Sequence, residues 1–342
     1  MSPICLADTF YFDDIPVRIE SNNKDIHNYL TRFLSPYFSR FGGQGTPPAF
    51  TFKISLCSDI PHGTFIRPIL IRDSHSAKGR YSGTEEALDG KRIIHLGHSR
   101  IVFEEPTILS LRSNNMDDLK KYGRIVVRDV VQKEFEKRGG ISLHASSVYD
   151  KHGNCICILG DKGSGKTTVL FEYMLRRGYS YGGLDRVMIK KIDHGFIAYG
   201  WPLLYNIGYG TLTRYQELEN SRPLELLSSQ QKDWGVDDKL VLEPYELPYK
   251  AIDKGSLSAL LFPSMDLSLA CSELRRATID YARSSLAKCV CTPEDPNFVD
   301  WHKMVHINRD NSISRTSIML DNIVNITPAY MLKWGRIIEK LP

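Results

Sequence analysis

The sequence predicts an α/β domain built round a phosphate-binding loop and preceded by a smaller α+β domain. Three observations carry this. An apolar run at 155–159 leads into Gly160-Asp161-Lys162-Gly163-Ser164-Gly165-Lys166-Thr167. A helical pattern follows at 167–177, closed by Gly178, and a strand-like run at 186–192 comes next. Strand, glycine loop, helix, strand is the order in which phosphate sits on a helix N-terminus.

The other elements follow from local signals. Asn22 or Asn23 caps a helix starting near Asp25, with Ile26, Tyr29, Leu30, Phe33, Leu34 and Tyr37 at helical spacing. Three β-rich runs, 50–56, 64–71 and 91–103, come after it. Clusters of Gly, Pro, Ser and Asp separate them, notably at 42–48 and 72–90. Asp117 and Asp118 open a second helix through Leu119, Tyr122, Val126 and Val130 to Phe135, and Gly139-Gly140 stops it. The change of pattern sets an expected boundary near residue 112, giving domains of 1–112 and 113–342. Residues 141–148 read as a strand and 150–154 as a turn. Downstream, 257–262 reads as a buried strand and 272–287 as a helix bearing Arg275, Arg276 and Arg283. The chain ends in an expected amphipathic helix: Thr327 caps, Pro328 takes the first turn, and Tyr330, Trp334, Ile337, Ile338 and Leu341 share a face.

Composition bounds the function. Of 342 residues, 42% are hydrophobic and 25% charged, which excludes global disorder. Lys and Arg number 44 against 40 acids, a net charge of +4 with no long single-sign run, so nothing argues for nucleic acid. No apolar stretch is long enough to span a bilayer and no greasy signal opens the chain, so membrane contact is not expected and a cytoplasmic location is. Seven cysteines at irregular spacing fit that compartment. Cys155/Cys157 and Cys289/Cys291 read either as metal half-sites or as core residues. The spacing of one disfavours zinc, and the first pair lies in the apolar run.

The pattern G-x-x-x-x-G-K-[S/T] is met by Gly160, Gly165, Lys166 and Thr167. Glycines let several N–H groups point inward at phosphate oxygens; Lys166 reaches the outer phosphates, and the Thr167 hydroxyl is placed to ligate Mg²⁺. Asp161, Lys162, Gly163, Ser164 and Thr168 complete the expected nucleotide-binding set. Nucleotide with Mg²⁺ is therefore the expected cofactor.

The residues round this loop narrow the reading. Ser142-Leu143-His144-Ala145-Ser146-Ser147-Val148, the loop with Thr168, Arg177-Gly178-Tyr179 and Gly183-Leu184-Asp185-Arg186-Val187 resemble the HPr kinase/phosphorylase family, whose relatives include kinases of lasso-peptide precursors. The resemblance covers about residues 139–192. It implies an HPr kinase-like fold, ATP and Mg²⁺ as cofactors, and Lys166 and Thr167 on the phosphates and metal. It further implies Asp185 as proton acceptor for the attacking hydroxyl and His144 near the reacting phosphate. The bland alternatives are a turn residue for Asp185 and a satisfied core histidine for His144. The family's first acid is replaced by Leu184, and Asp193 is the nearest downstream carboxylate. Lys239 matches a lysine-containing segment of the peptide kinases and is a further phosphate candidate.

The expected function is ATP-dependent transfer of the γ-phosphate to a hydroxyl, most simply serine of a peptide or small protein. The 1–112 domain is a candidate for acceptor recognition. Two alternatives stay open: a small-molecule acceptor (free serine, a sugar or an antibiotic precursor), or a nucleotide-binding regulatory module with little catalysis. Assembly into homo-oligomers is compatible with the family.

Overall fold

The structure is a computed structural model. It describes residues 5–40, 46–58, 67–72, 81–215, 239–247, 249–266, 268–293, 301–335, 338 and 341–342. The fold is mixed α/β, with several sheets and a few helices. The chain divides into two compact units. One is Met1–Arg138 with Pro293–Asn308; the other is Gly139–Thr292 with Arg309–Pro342.

The first unit is an eight-stranded sheet with two helices. Its strands are β1 (Leu6–Phe12), β2 (Ile15–Ser21), β3 (Phe50–Leu56), β4 (Arg67–Arg72), β5 (Tyr81–Leu88), β6 (Lys91–Leu96), β7 (Ser99–Glu105) and β8 (Ile108–Ser113), ordered β1-β2-β3-β8-β7-β6-β5-β4. Its helices are α1 (Lys24–Leu34) and α2 (Met116–Lys137). The Asn23 and Asn115 side chains accept amide hydrogens from the first turns of α1 and α2, satisfying donors with no partner inside the helix. The boundary expected near residue 112 falls inside β8. Helix α2 packs on α1, β3 and β8 and so belongs to the first unit. The expected 91–103 run is a hairpin, β6–β7, turning at Gly97. The expected break at 72–90 contains β5, which pairs with both β4 and β6.

The second unit carries β9 (Ile141–Leu143), β10 (Ala145–Tyr149), β11 (Asn154–Leu159), α3 (Lys166–Arg177), β12 (Ser180–Tyr181), β13 (Val187–Ile192) and β14 (Gly195–Gly200). After them come β15 (Tyr205–Gly208), α4 (Tyr209–Arg214), β16 (Lys239–Leu242), β17 (Lys254–Met265), β18 (Glu273–Arg276), α5 (Ile279–Lys288), α6 (Arg309–Ile326) and β19 (Ala329–Trp334). The main sheet runs β12-β10-β11-β17-β14-β13-β9, with β19 on β17 and β18 on β19. Strand β11 shows how the sheet is covered. Ile156 and Ile158 join a core with Val169, Leu170 and Phe171 of α3. Cys155, Cys157 and Leu159 face a second core that holds Ala282 and Leu286 of α5 and Leu320 and Ile323 of α6. A strand with helices on both faces is apolar on both, so it reads as a continuous hydrophobic run. The two cysteines are buried core residues with free thiols.

Two expectations fail here. The expected C-terminal amphipathic helix is strand β19, paired parallel with β17 and antiparallel with β18. Thr327 closes α6 instead, its amide donating to the Ile323 carbonyl. Pro328 then stops the helix, and an alternating side-chain pattern buries Leu332 and Trp334. The expected helix at 272–287 is two elements, β18 and α5, with Thr278 capping the helix between them.

Candidate functional site

Strand β11 ends at the glycine loop, and α3 begins at Lys166 with Gly165 as its N-cap. Gly165 has φ +92°, and a Cβ there would lie 2.1 Å from the Trp334 ring. Only glycine fits, because the conformation is left-handed and the space is filled by an indole. The same indole N–H donates to the Ser164 carbonyl at 3.2 Å. The Lys166 ammonium donates to the carbonyls of Gly160 at 2.6 Å and Asp161 at 3.2 Å. Burial pushes the Lys166 pKa below its ordinary value, with Asp185 opposing that shift. Beneath the loop, burial pushes the Cys289 thiol up, and the Gly160 amide and Lys166 oppose it.

Asp185 stands on a turn anchored to β10. The Ser147 amide donates to the Gly183 carbonyl at 2.7 Å, and the Ser147 hydroxyl accepts from the Gly183 amide at 2.8 Å. The Ser146 hydroxyl donates to the Leu184 carbonyl. A Cβ on Gly183 would meet the Arg186 carbonyl oxygen at 2.1 Å, so the turn tolerates no side chain there. Leu184 points into the α3-side core and is 4% exposed. Leu184 also borders the cleft described below, and its neighbour Asp185 has a side chain 55% exposed beside His144 at 44%. His144 Nδ1 lies 3.4 Å from Asp185 Oδ1. His144 itself breaks the expected 141–148 strand into β9 and β10, and its amide donates to the Cys289 carbonyl at 2.7 Å.

These groups share one cleft of about 900 Å³. Its lining includes His144, Asp161, Lys162, Gly163, Gly165, Lys166, Thr167, Thr168 and Asp185, and also Lys239. The core-histidine alternative for His144 therefore does not describe it: the ring borders open space. Asp193 occupies the β13–β14 hairpin turn, away from this lining. Of the three arginines named downstream, Arg275 pairs with Glu273, Arg276 lies over the Tyr330 ring, and Arg283 pairs with Asp321. None of them lines the cleft.

Three lining residues carried no signal in the sequence. Trp334 arrives through the parallel pairing of β19 with β17. Thr211 sits on α4 with its hydroxyl oxygen 3.1 Å from that of Thr168. Arg214, the last residue of α4, has its guanidinium carbon 5.2 Å from the Trp334 ring centroid. Residues distant in sequence and brought together by sheet pairing leave no local pattern.

No family model matches this chain, and no curated protein does. Among solved structures, the Hpr(Ser) kinase/phosphatase from Coxiella burnetii is similar at a TM-score of 0.22 and 12% identity, over 39% of this chain and 70% of that one. Among the described residues, no helix is long and apolar enough to cross a membrane.

Proposed function

We propose that the second unit is an ATP-dependent kinase that passes the γ-phosphate to a hydroxyl, with serine of a peptide or small protein as the acceptor class. One observation supports this above the rest: the phosphate-loop lysine and an exposed carboxylate–histidine pair open on the same cleft. Phosphoryl transfer asks the protein for positioning, charge neutralisation and a base beside the nucleophile. In the proposed reaction the acceptor oxygen bonds to the γ-phosphorus and the bond to the β–γ bridging oxygen breaks. ADP leaves, and the hydroxyl proton passes to the Asp185 carboxylate. His144 holds that carboxylate from one side. Lys166 and the loop amides take the phosphates.

Mg²⁺ fits the donors present. Thr167 lines the cleft at the start of α3, and Mg²⁺ on a nucleotide takes one or two protein ligands beside phosphate and water. There it would neutralise phosphate charge.

The test is transfer from labelled ATP to candidate peptides and small hydroxyl compounds. Asp185→Asn is expected to cut the rate by about 100-fold or more while leaving ATP affinity near that of the wild type. Equal rates in variant and wild type would remove the base assignment. Labelling of a sugar or free serine in place of peptide would move the acceptor to the small-molecule class.

Leu184 favours a second reading. With its side chain in the core, only Asp161 and Asp185 among the described residues bring carboxylates to the cleft lining. A nucleotide-binding regulatory module would show tight ATP binding and no turnover with any acceptor or with water.

A further inference from the structure

The cleft is electrostatically uneven. Among the described residues, Lys162, Lys166, Arg214 and Lys239 line it against Asp161 and Asp185. Arg214 differs from the lysines in how it is held. Its guanidinium lies over the Trp334 ring at 5.2 Å and the Tyr215 ring at 5.8 Å. Both rings are themselves fixed. Trp334 is wedged against Gly165 and bonded to the Ser164 carbonyl. The Tyr215 hydroxyl lies 2.9 Å from both the Thr168 carbonyl oxygen and Glu172 Oε2, so it ties α4 to the first turns of α3. Burial holds this phenol's pKa well above its ordinary value, which keeps it a donor. Among the described residues Arg214 forms no ion pair. A half-buried guanidinium that lines the cleft, lies over an indole and hydrogen-bonds the Tyr215 hydroxyl still has further donors of its fork to offer an anionic ligand beside the glycine loop.

We propose that Arg214 binds the phosphate chain of the nucleotide, with Trp334 as the residue that positions it. The inference rests on the nucleotide-binding reading of the cleft and adds a ligand that the glycine-loop motif does not contain.

Calorimetry with ATP and with inorganic tripolyphosphate tests this on the full chain, without knowledge of the acceptor. Arg214→Ala is expected to weaken both ligands by about tenfold or more, as loss of a hydrogen-bonded charge does. Arg214→Lys should fall between, because it keeps charge but loses the planar fork. It also answers the question if the alanine variant does not fold, because it keeps the charge on a side chain of similar length. Unchanged affinity for both ligands in Arg214→Ala and Arg214→Lys would overturn the proposal. Weakening of ATP alone would also overturn it, because Arg214 would then face the base. A wild-type protein that binds neither ligand would sink the nucleotide reading itself, whereas binding that ignores Arg214 sinks only this inference.

Discussion

Lys166 is 8% exposed, and burial is the largest influence on its charge. The direction of the shift decides a pH dependence. In the proposed reaction the ammonium form is the one that holds phosphate, and the lowered pKa means that the free protein loses this charge at a lower pH than the ordinary 10.5. ATP affinity should therefore begin to fall in the alkaline range, below the point where an ordinary lysine titrates. Bound phosphates favour the charged form and raise the pKa, so ATP binding in that window should take up protons. Calorimetry in two buffers of different ionisation enthalpy reads this uptake directly. Lys166→Arg, which stays charged throughout, should abolish it. Gly165 makes a second prediction at this scale. An alanine Cβ would lie 2.1 Å from the Trp334 ring at φ +92°, so Gly165→Ala must displace either the loop or β19. The expected outcome is loss of ATP binding together with a lower melting temperature; retained affinity would show that the loop bends more easily than its packing implies.

The elements that the sequence revealed are those whose causes are local. The Asn22-Asn23 pair and the acids Asp117 and Asp118 announce α1 and α2 because capping and first-turn charge act within three residues, although the cap of α2 is Asn115. The run through β11 is visible because both faces of the strand are covered, and Gly178 ends α3 by taking the left-handed conformation at φ +68°. The glycine loop belongs to this class, whereas the turn carrying Asp185 is held by Ser146 and Ser147 of β10, more than thirty residues earlier. Strand β19 lies outside the class as well. Its apolar residues suit a helix face as well as a strand, and the choice is made by the edge of β17, more than sixty residues earlier in the chain at Leu260↔Ala329. The same non-local pairing hid Trp334, and with it the platform for Arg214. Trp334→Ala should cost about 3–5 kcal/mol, as large-to-small changes of buried aromatics do. Because the indole also contacts Ser164 and Gly165, the variant should lose ATP affinity at temperatures where it remains folded. Unfolding monitored by circular dichroism, set beside ATP titration, separates the two effects.

At the scale of the molecule, the first unit is discontinuous in sequence, and its stability has two identifiable supports. One is a set of carboxylates on its sheet. Burial alone would raise the Glu85 pKa, but Arg92 and Arg67 outweigh it and hold the group below 4.5. Glu104 is likewise held low, with Lys53, Ser110 and Arg112 outweighing burial. Depressed carboxylates contribute stability that is present above the unfolded value and lost as pH falls through the folded one. The first unit should thus weaken below about pH 4.5, visible as an acid transition that Glu85→Gln diminishes. The other support is the returning segment Pro293–Asn308. Trp301 is 1% exposed and its indole N–H donates to Asp129 Oδ2 at 2.8 Å. The Arg92 guanidinium donates to the Trp301 and His302 carbonyls at 2.6 and 2.8 Å, and the Lys133 ammonium to the Pro293 carbonyl at 2.7 Å. A fragment of residues 1–138 lacks all of these partners and should be unstable by itself. In the full chain, Trp301→Ala should cost the first unit about 3–5 kcal/mol through the emptied space, and more through the unpaired Asp129. Each unit has its own core, so ATP affinity of the folded variant should stay within about twofold of wild type, as for independent sites. A parallel loss of ATP affinity would mean that the two units are not energetically independent.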